Sequence, residues 1–319
     1  MTRAFLLLSA IGSDTGGSVR LPASYCGVVG FKPSWGVLSR YGLVSYAPSL
    51  DTIGLMAKNV QDCIEAFECL RNGLINRDET KRPLPTSLST TGQLPLEGLL
   101  IGVPEDWLSR LDSSHPIGQV LDFLDRQNCR LFAVKNDELS RLSELVLEKY
   151  YQIACMEASS TLARYTGLFF GGNNDGKVTS KQASSFPDYV KEYRQQYMSS
   201  EVIDRIRFGR SLLEDVSLVK SVTVFRSELK DAFKQVFRDC DLIIGPTAFN
   251  QAPLLSEGTN NEKSDDFFTV FANLAELPAI SLPLSPKDAP IIGTQLMAPA
   301  RDDLFLLRAA RSLEESFHA

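Results

Sequence analysis

Apolar residues recur along the chain in two rhythms. Between residues 60 and 74, Val60, Cys63, Ile64, Phe67, Leu70 and Leu74 fall three or four apart, which places them on one face of a helix. The same spacing predicts long helices over 139–166 and, behind Pro187, over 188–208. The clearest stripe lies within 216–238: Val216, Val219, Val222, Leu229, Phe233 and Val236, interrupted by the single cation Arg226. A short helix over 267–276 and an amphipathic one over 302–317 complete the set. Short apolar runs bounded by glycine or proline read instead as buried strands: 27–31, 99–104, 242–244 before Gly245-Pro246, and 279–282. Polar stretches at 76–97 and 251–265 read as exposed connectors. The run Phe5-Leu6-Leu7-Leu8 is too short for the core of a signal peptide, and residues 1–10 read as a buried strand. No internal repeat is present.

Strands alternating with helices predict an α/β fold, its sheet parallel or mixed and covered by helices on both faces. At 319 residues the whole chain, 1–319, can form one domain of this kind, with 76–97 an exposed connector within it. A hydrophobic content of 44% and a charged content of 23% are those of a globular protein, and no apolar stretch approaches the roughly twenty residues of a membrane span. The net charge of −6 excludes a large, uniformly basic nucleic-acid surface. Six cysteines are scattered without C-x-x-C spacing beside only His115 and His318, so no metal site is expected and the cysteines read as buried free thiols.

The chemistry concentrates in Gly12-Ser13-Asp14-Thr15-Gly16-Gly17-Ser18-Val19-Arg20. Two glycines allow a tight turn and leave no Cβ to block an approaching substrate. The peptide N–H groups of 15–18 can then converge on one point beside the Ser18 hydroxyl, the geometry of an oxyanion hole next to a nucleophile. The plainer reading is a Gly-Gly loop with a serine N-cap on the following helix. A nucleophilic serine needs a base, yet His115 sits in a polar turn and His318 is the penultimate residue. The base is therefore a lysine, a carboxylate or missing. Asp14 and Arg20 flank the loop and read as a buried pair that fixes it.

Residues 12–54 resemble the amidase signature family in an ungapped run that includes Ser39-Arg40-Tyr41-Gly42-Leu43-Val44 and Ser49-Leu50-Asp51-Thr52-Ile53-Gly54. Further matches follow in order: Glu157-Ala158-Ser159-Ser160, Asp241-Leu242-Ile243-Ile244-Gly245-Pro246-Thr247, Asp266-Phe267-Phe268-Thr269, and Gly293-Thr294-Gln295-Leu296-Met297. Within the family the run is most similar to the A-subunit branch of the amidotransferases that act on Glu-tRNA(Gln), in its fungal mitochondrial form, which implies a mitochondrial setting or else a bacterial-type cytoplasm. The resemblance implies an α/β/α sandwich around a mixed, twisted sheet. It also implies a Ser–Ser–Lys relay in which Ser18 is the nucleophile, and Thr15, Gly16, Gly17 and the Ser18 amide form the oxyanion hole. Arg226 and Asp266 match the family's clamp for the α-carboxylate and α-ammonium of glutamine.

Such a subunit holds no cofactor of its own. Its partners would be a transamidase subunit that uses ATP and Mg²⁺ to convert Glu-tRNA(Gln), and a small accessory subunit. Three departures stand out. Phe170 replaces an expected aromatic hydroxyl, and Glu276 stands where the family usually has glycine. The relay's lysine and bridging serine lie upstream of the loop in the family, whereas Lys32 is the first lysine of this sequence. Family members with a full relay carry a lysine there too, so Lys32 is expected to pack its stem and pair with a carboxylate. The sequence thus reads as lacking the family's N-terminal part and as hydrolysing glutamine poorly alone. A stand-alone amidase acting on neutral amides, and a catalytically incomplete scaffold, are the alternatives.

Overall fold

The computed structural model describes residues 9–73, 77–85, 92, 94–168, 184–254, 265–285 and 290–318. The chain divides into two compact units, one of Met1–Leu43, Leu50–Leu147 and Phe225–Ala319, the other of Val44–Ser49 and Glu148–Val224.

The first unit is built on eight strands: β1 (Ser9–Asp14), β2 (Val29–Lys32), β3 (Thr52–Ala57), β4 (Leu100–Pro104), β5 (Arg130–Val134), β6 (Leu242–Pro246), β7 (Ala279–Leu282) and β8 (Thr294–Met297). They form one sheet in the order β1-β3-β2-β7-β8-β6-β4-β5. β4 runs parallel to β5 and β6, and every other pairing is antiparallel. The expected mixed sheet is therefore present, and among the described residues β1 lies at its edge, with Ile11 62% exposed.

Side chains alternate between faces along each strand. Phe31, Leu55, Ile101, Ile244, Ile280 and Leu296 enter one core with apolar residues of α2 (Val60–Arg71), α4 (Ile117–Arg126) and α11 (Asp303–Phe317). The intervening positions are small where elements press close. A Cβ on Gly30 would lie 2.5 Å from Ala23 of α1 (Arg20–Cys26), and one on Gly245 would lie 2.6 Å from Trp107 of α3 (Glu105–Leu108). Trp107 leads an aromatic cluster with Phe233 of α9 (Val216–Val236) and Phe267, Phe268 and Phe271 of α10 (Phe267–Leu274). All eight residues of α10 are buried.

The helix predicted over 139–166 is three pieces, α5 (Asp137–Ser143), α6 (Val146–Thr161) and a 3₁₀ turn at Leu162–Arg164. The helix predicted over 188–208 is two, α7 (Phe186–Tyr197) and α8 (Ser200–Leu213), because Ser199 accepts the Val202 N–H and starts a new helix. In the second unit α6 and α8 touch backbone to backbone at Gly209, where a Cβ would meet the Cys155 carbonyl at 1.8 Å. Glu157, in a matched motif, accepts the Ser49 N–H at 2.8 Å.

Of the expected strand at 1–10, only Ser9 and Ala10 lie within the described residues, where they begin β1. The described parts of 76–97 carry no helix or strand beyond those ranges, and most of 251–265 lies outside the described residues. Four cysteines are buried free thiols as expected, but Cys26 and Cys69 are exposed. Among the described residues no helix is long and apolar enough to cross a membrane, and no cluster of histidine, cysteine and acidic side chains could hold a metal ion.

Candidate active site

Arg20 is the largest charged side chain with no exposure at all, and its surroundings explain how it is tolerated. A guanidinium has five N–H donors, and each donor left without a partner in the interior would be costly. Here Nε and one Nη2 donor take the two oxygens of Asp14 at 3.0 and 2.8 Å, and the other Nη2 donor takes Asn273 Oδ1 at 2.7 Å. The Nη1 donors take the Thr269 carbonyl at 2.8 Å and Gln295 Oε1 at 2.6 Å. Asp14 is saturated in turn, accepting also from Asn273 Nδ2 at 3.0 Å and from the backbone N–H groups of Val19 and Arg20. Burial by itself would raise the Asp14 carboxyl, but the charge and hydrogen bonds of Arg20, with help from Lys32 and Asn273, hold it below the usual carboxylate range. The predicted buried pair is present, and it joins both ends of the loop 14–20 to α10 and β8.

The loop itself is held at two further points. Thr15 Oγ1 donates to the buried Asp51 at 2.7 Å, and Thr269 Oγ1 lies 2.6 Å from the Gly16 carbonyl. Gly17 has φ +144°, and a Cβ there would sit 2.2 Å from Thr269 Oγ1, so both backbone and packing require glycine. Between these anchors Ser18 is exposed. Among the described residues no group hydrogen-bonds to the Ser18 hydroxyl, and none accepts the peptide N–H groups of 15–18. A hydroxyl beside four uncommitted N–H donors on a rigid loop can attack a carbonyl carbon and stabilise the oxygen that becomes negative.

Among the described residues no base is hydrogen-bonded to it. His115 accepts the Ile117 N–H on Nδ1 at 3.2 Å and meets the Ala248 carbonyl with Nε2 at 3.2 Å, so both ring nitrogens are used, and burial lowers its pKa. Lys32 is fully buried, and among the described residues its amine meets no carboxylate, contrary to the expected pairing. Instead Nζ donates to the carbonyls of Pro33 at 2.9 Å and Leu277 at 2.6 Å. Two carbonyls match the two N–H groups of a neutral amine. Burial, followed by repulsion from Arg20, brings its pKa down to about 7 against the partial opposition of Asp14, Asp303 and Glu276.

Asp266 lies half-buried at the start of α10, one turn before Thr269, which ties it to the nucleophile loop. Beside it, burial and then the charge of Asp265 push the Tyr25 phenol upward, and Asp266 adds to the effect. Arg226 is anchored at the other end of the same helix, with Nε on the Leu274 carbonyl at 2.9 Å and Nη2 on Glu276 at 3.1 Å. Eight helical residues rise about 12 Å, so the anchor points of the two expected clamp residues are that far apart. Phe170 lies outside the described residues. Asn273, Gln295, Thr269 and Asp51 were not anticipated. The available signal was polar residues in segments otherwise fully apolar, Thr269 and Asn273 one turn apart on a buried helix and Gln295 inside a buried strand.

Comparison with known proteins agrees with this architecture. The chain is 35% identical over 321 residues to an amidotransferase A subunit for Glu-tRNA(Gln) from Agathobacter rectalis, covering 96% of this chain and 61% of that one. A corresponding subunit from Anaeromyxobacter dehalogenans is 36% identical, with 96% and 62% covered. The crystal structure of the Thermotoga maritima subunit superposes with a TM-score of 0.73 at 30% identity, over 97% of this chain and 62% of that chain. The chain thus spans less than two thirds of the length of these relatives. The sequence profile described as Amidase matches residues 2–307, taking in the Ser18 loop, the strand and helix that flank it and the α10 side chains that lock it, and the chain accordingly belongs to the amidase family.

Proposed function

We propose that the chain is the amide-hydrolysing A subunit of a glutamyl-tRNA(Gln) amidotransferase. The observation that carries this reading is the exposed Ser18 hydroxyl beside uncommitted N–H groups on a loop immobilised by the Asp14–Arg20 pair. Ser18 Oγ attacks the side-chain amide carbon of glutamine, and the developing oxyanion is received by the N–H groups of 15–18. The carbon–nitrogen bond then breaks, the nitrogen leaves as ammonia, and water releases glutamate from the acyl-enzyme. Asp266, tied to the loop through Thr269, meets the α-ammonium, whereas Arg226 is anchored at the far end of α10 and makes no contact in this step. In this reading the relay of the family, a lysine acting through a bridging serine, takes the Ser18 proton and returns it to the leaving nitrogen; among the described residues no group hydrogen-bonds to the Ser18 hydroxyl. Ammonia passes to a transamidase subunit, where ATP and Mg²⁺ activate Glu-tRNA(Gln), with a small accessory subunit completing the assembly.

Ammonia release from glutamine tests the reading, measured for the chain alone and with the part of a relative that this chain does not cover supplied as a separate polypeptide. Turnover should be weak alone, rise on complementation and disappear in Ser18→Ala. Activity that survives Ser18→Ala under complementation would remove Ser18 from the mechanism. One observation favours a second reading. Glu276 already neutralises Arg226, as suits an amidase whose substrate lacks a carboxylate.

A further inference from the structure

A peptide bond is planar and trans, so its N–H points opposite to its C=O, and whatever fixes the carbonyl also aims the N–H. Two successive peptides of the Ser18 loop are fixed in this way. The Gly17 carbonyl accepts the Leu21 N–H at 2.8 Å, a contact within the backbone that sets the direction of the Ser18 N–H. The buried Gly16 carbonyl has no backbone donor among the described residues, and its partner is the Thr269 hydroxyl at 2.6 Å. Thr269 is itself fully buried and held on both sides. Its N–H donates to the Asp266 carbonyl at 3.1 Å, and its carbonyl accepts Arg20 Nη1 at 2.8 Å. Oγ1 also lies 3.1 Å from the Asp266 carbonyl, so Gly16 is the closer of its two acceptors. A branched Cβ on a helix leaves this side chain little rotational freedom. A Cβ placed on Gly17 would lie 2.2 Å from the same hydroxyl, which shows how closely Thr269 presses on this peptide. The Gly17 N–H, directed away from the Thr269 contact, is one of the loop donors with no acceptor among the described residues.

We propose that Thr269 is a positioning residue for the oxyanion site: by holding the Gly16 carbonyl it turns the Gly17 N–H away from α10 and toward the oxygen that becomes negative when Ser18 attacks. Thr269 touches neither nucleophile nor substrate and acts through the plane of one peptide. The hydroxyl, rather than the bulk of the side chain, is what this geometry requires. Without it the Gly16 carbonyl is left buried and without a donor, the peptide gains by rotating toward water, and the N–H rotates with it. The bearing of this contact on the reaction rests on Ser18 being the nucleophile, as proposed above; the direction of the peptide does not.

The test compares the unchanged 319-residue chain with Thr269→Val, Thr269→Ser and Ser18→Ala. Valine keeps the branched shape and removes the hydroxyl, whereas serine keeps the hydroxyl and gives up a buried methyl group. A role in packing and a role in aiming the peptide therefore predict opposite rankings. Binding of a short alkylboronic acid is followed by boron NMR; its boron becomes tetrahedral when Ser18 Oγ bonds to it and the hydroxyl proton passes to solvent. The dissociation constant of this adduct should weaken about tenfold or more in Thr269→Val, a part of the roughly 10²–10³ that loss of a whole oxyanion donor costs, and stay within about threefold of the unchanged chain in Thr269→Ser. Isotope labelling of the glycine carbonyl and nitrogen then picks out the Gly-Gly peptides, the Gly16–Gly17 signal being the one lost in Gly17→Ala. The Gly16 carbonyl carbon and the Gly17 nitrogen should move upfield in Thr269→Val and return in Thr269→Ser. An adduct as tight in Thr269→Val as in the unchanged chain, or as weak in Thr269→Ser as in Thr269→Val, would overturn the proposal and leave Ser18 in place. An adduct missing from the unchanged chain, or one that survives Ser18→Ala, would instead remove the nucleophile and with it the bearing of Thr269 on the reaction. Gly16–Gly17 signals that do not move in Thr269→Val would overturn the positioning contact whatever the boron shows.

Discussion

Replacing Arg20 by methionine keeps the apolar stem and deletes all five donors at once. The change strands the Thr269 carbonyl, Gln295 Oε1 and Asn273 Oδ1, and leaves Asp14 charged in the interior with only peptide and amide donors. Breaking one side of a fully buried ion pair costs about 3–5 kcal/mol, a large share of the roughly 5–15 kcal/mol that holds a domain together. For a unit of this size each kcal/mol moves the thermal midpoint by roughly 2–4 °C, so a fall of about 6–20 °C is expected. Urea denaturation at pH 7 gives the free energy directly. The double variant Arg20→Met/Asp14→Leu should be less destabilised than Arg20→Met alone, since it removes the uncompensated charge. The sign of the pH dependence gives a second check. In the unchanged chain Asp14 is held below its unfolded pKa of about 3.9, so its contribution is present above that pH and is lost as the pH falls below it. Without Arg20, burial raises the Asp14 carboxyl, protonation becomes favourable to the fold, and the gap between variant and parent narrows in acid. A loss below about 1 kcal/mol for Arg20→Met, or a double variant worse than the single, would refute the pair as the anchor of the loop.

Gly17→Ala should cost about 1–3 kcal/mol by urea denaturation, because its Cβ collides with Thr269, whereas Gly42→Ala, with φ +91° and nothing within 4 Å, should lose only about 1 kcal/mol to backbone strain. Equal losses at the two sites would show that contact with Thr269 does not matter. Lys32 is lowered from 10.5 to about 7, so between those values the unfolded chain binds the extra proton and stability rises with pH. That rise, a few kcal/mol across the interval, should be missing from Lys32→Met in urea titrations at pH 7, 8.5 and 10; parallel curves for parent and variant would place a charged amine in the interior.

What the sequence disclosed about the fold was what neighbouring residues decide. The helical stripe at 60–74 and the apolar runs behind β4, β6 and β7 appear where their spacing put them, because burial of one face or of a whole strand leaves a local trace. Coverage of the sheet by helices was read from the alternation of strands and helices, and the choice of a mixed over a parallel sheet from the family resemblance. β5 was not anticipated, since Arg130, Leu131, Phe132 and Ala133 are exposed or half-buried on an edge strand and give little alternation. The breaks at 144–145 and 198–199 fell inside continuous apolar periodicity and depend on local capping, as at Ser199. The Asp14–Arg20 pair was legible from its place beside the Gly-Gly-Ser turn. Its partners Asn273 and Gln295 come from some 250 residues away, a distance over which no periodicity carries information. Glu276 was visible only as an oddity, and its pairing with Arg226 spans 50 residues of sequence.

The central claim is that Ser18 is a nucleophile set against an oxyanion site, and it can be tested without turnover. A short alkylboronic acid offers a trigonal boron that a serine oxygen converts to a tetrahedral adduct, stabilised by the same N–H donors that would hold an oxyanion. Boron NMR of the chain with this probe should give a tetrahedral signal that is absent from Ser18→Ala and weakened in Gly17→Ala. A purely trigonal signal from the unchanged chain, or a tetrahedral one that survives Ser18→Ala, would contradict the account.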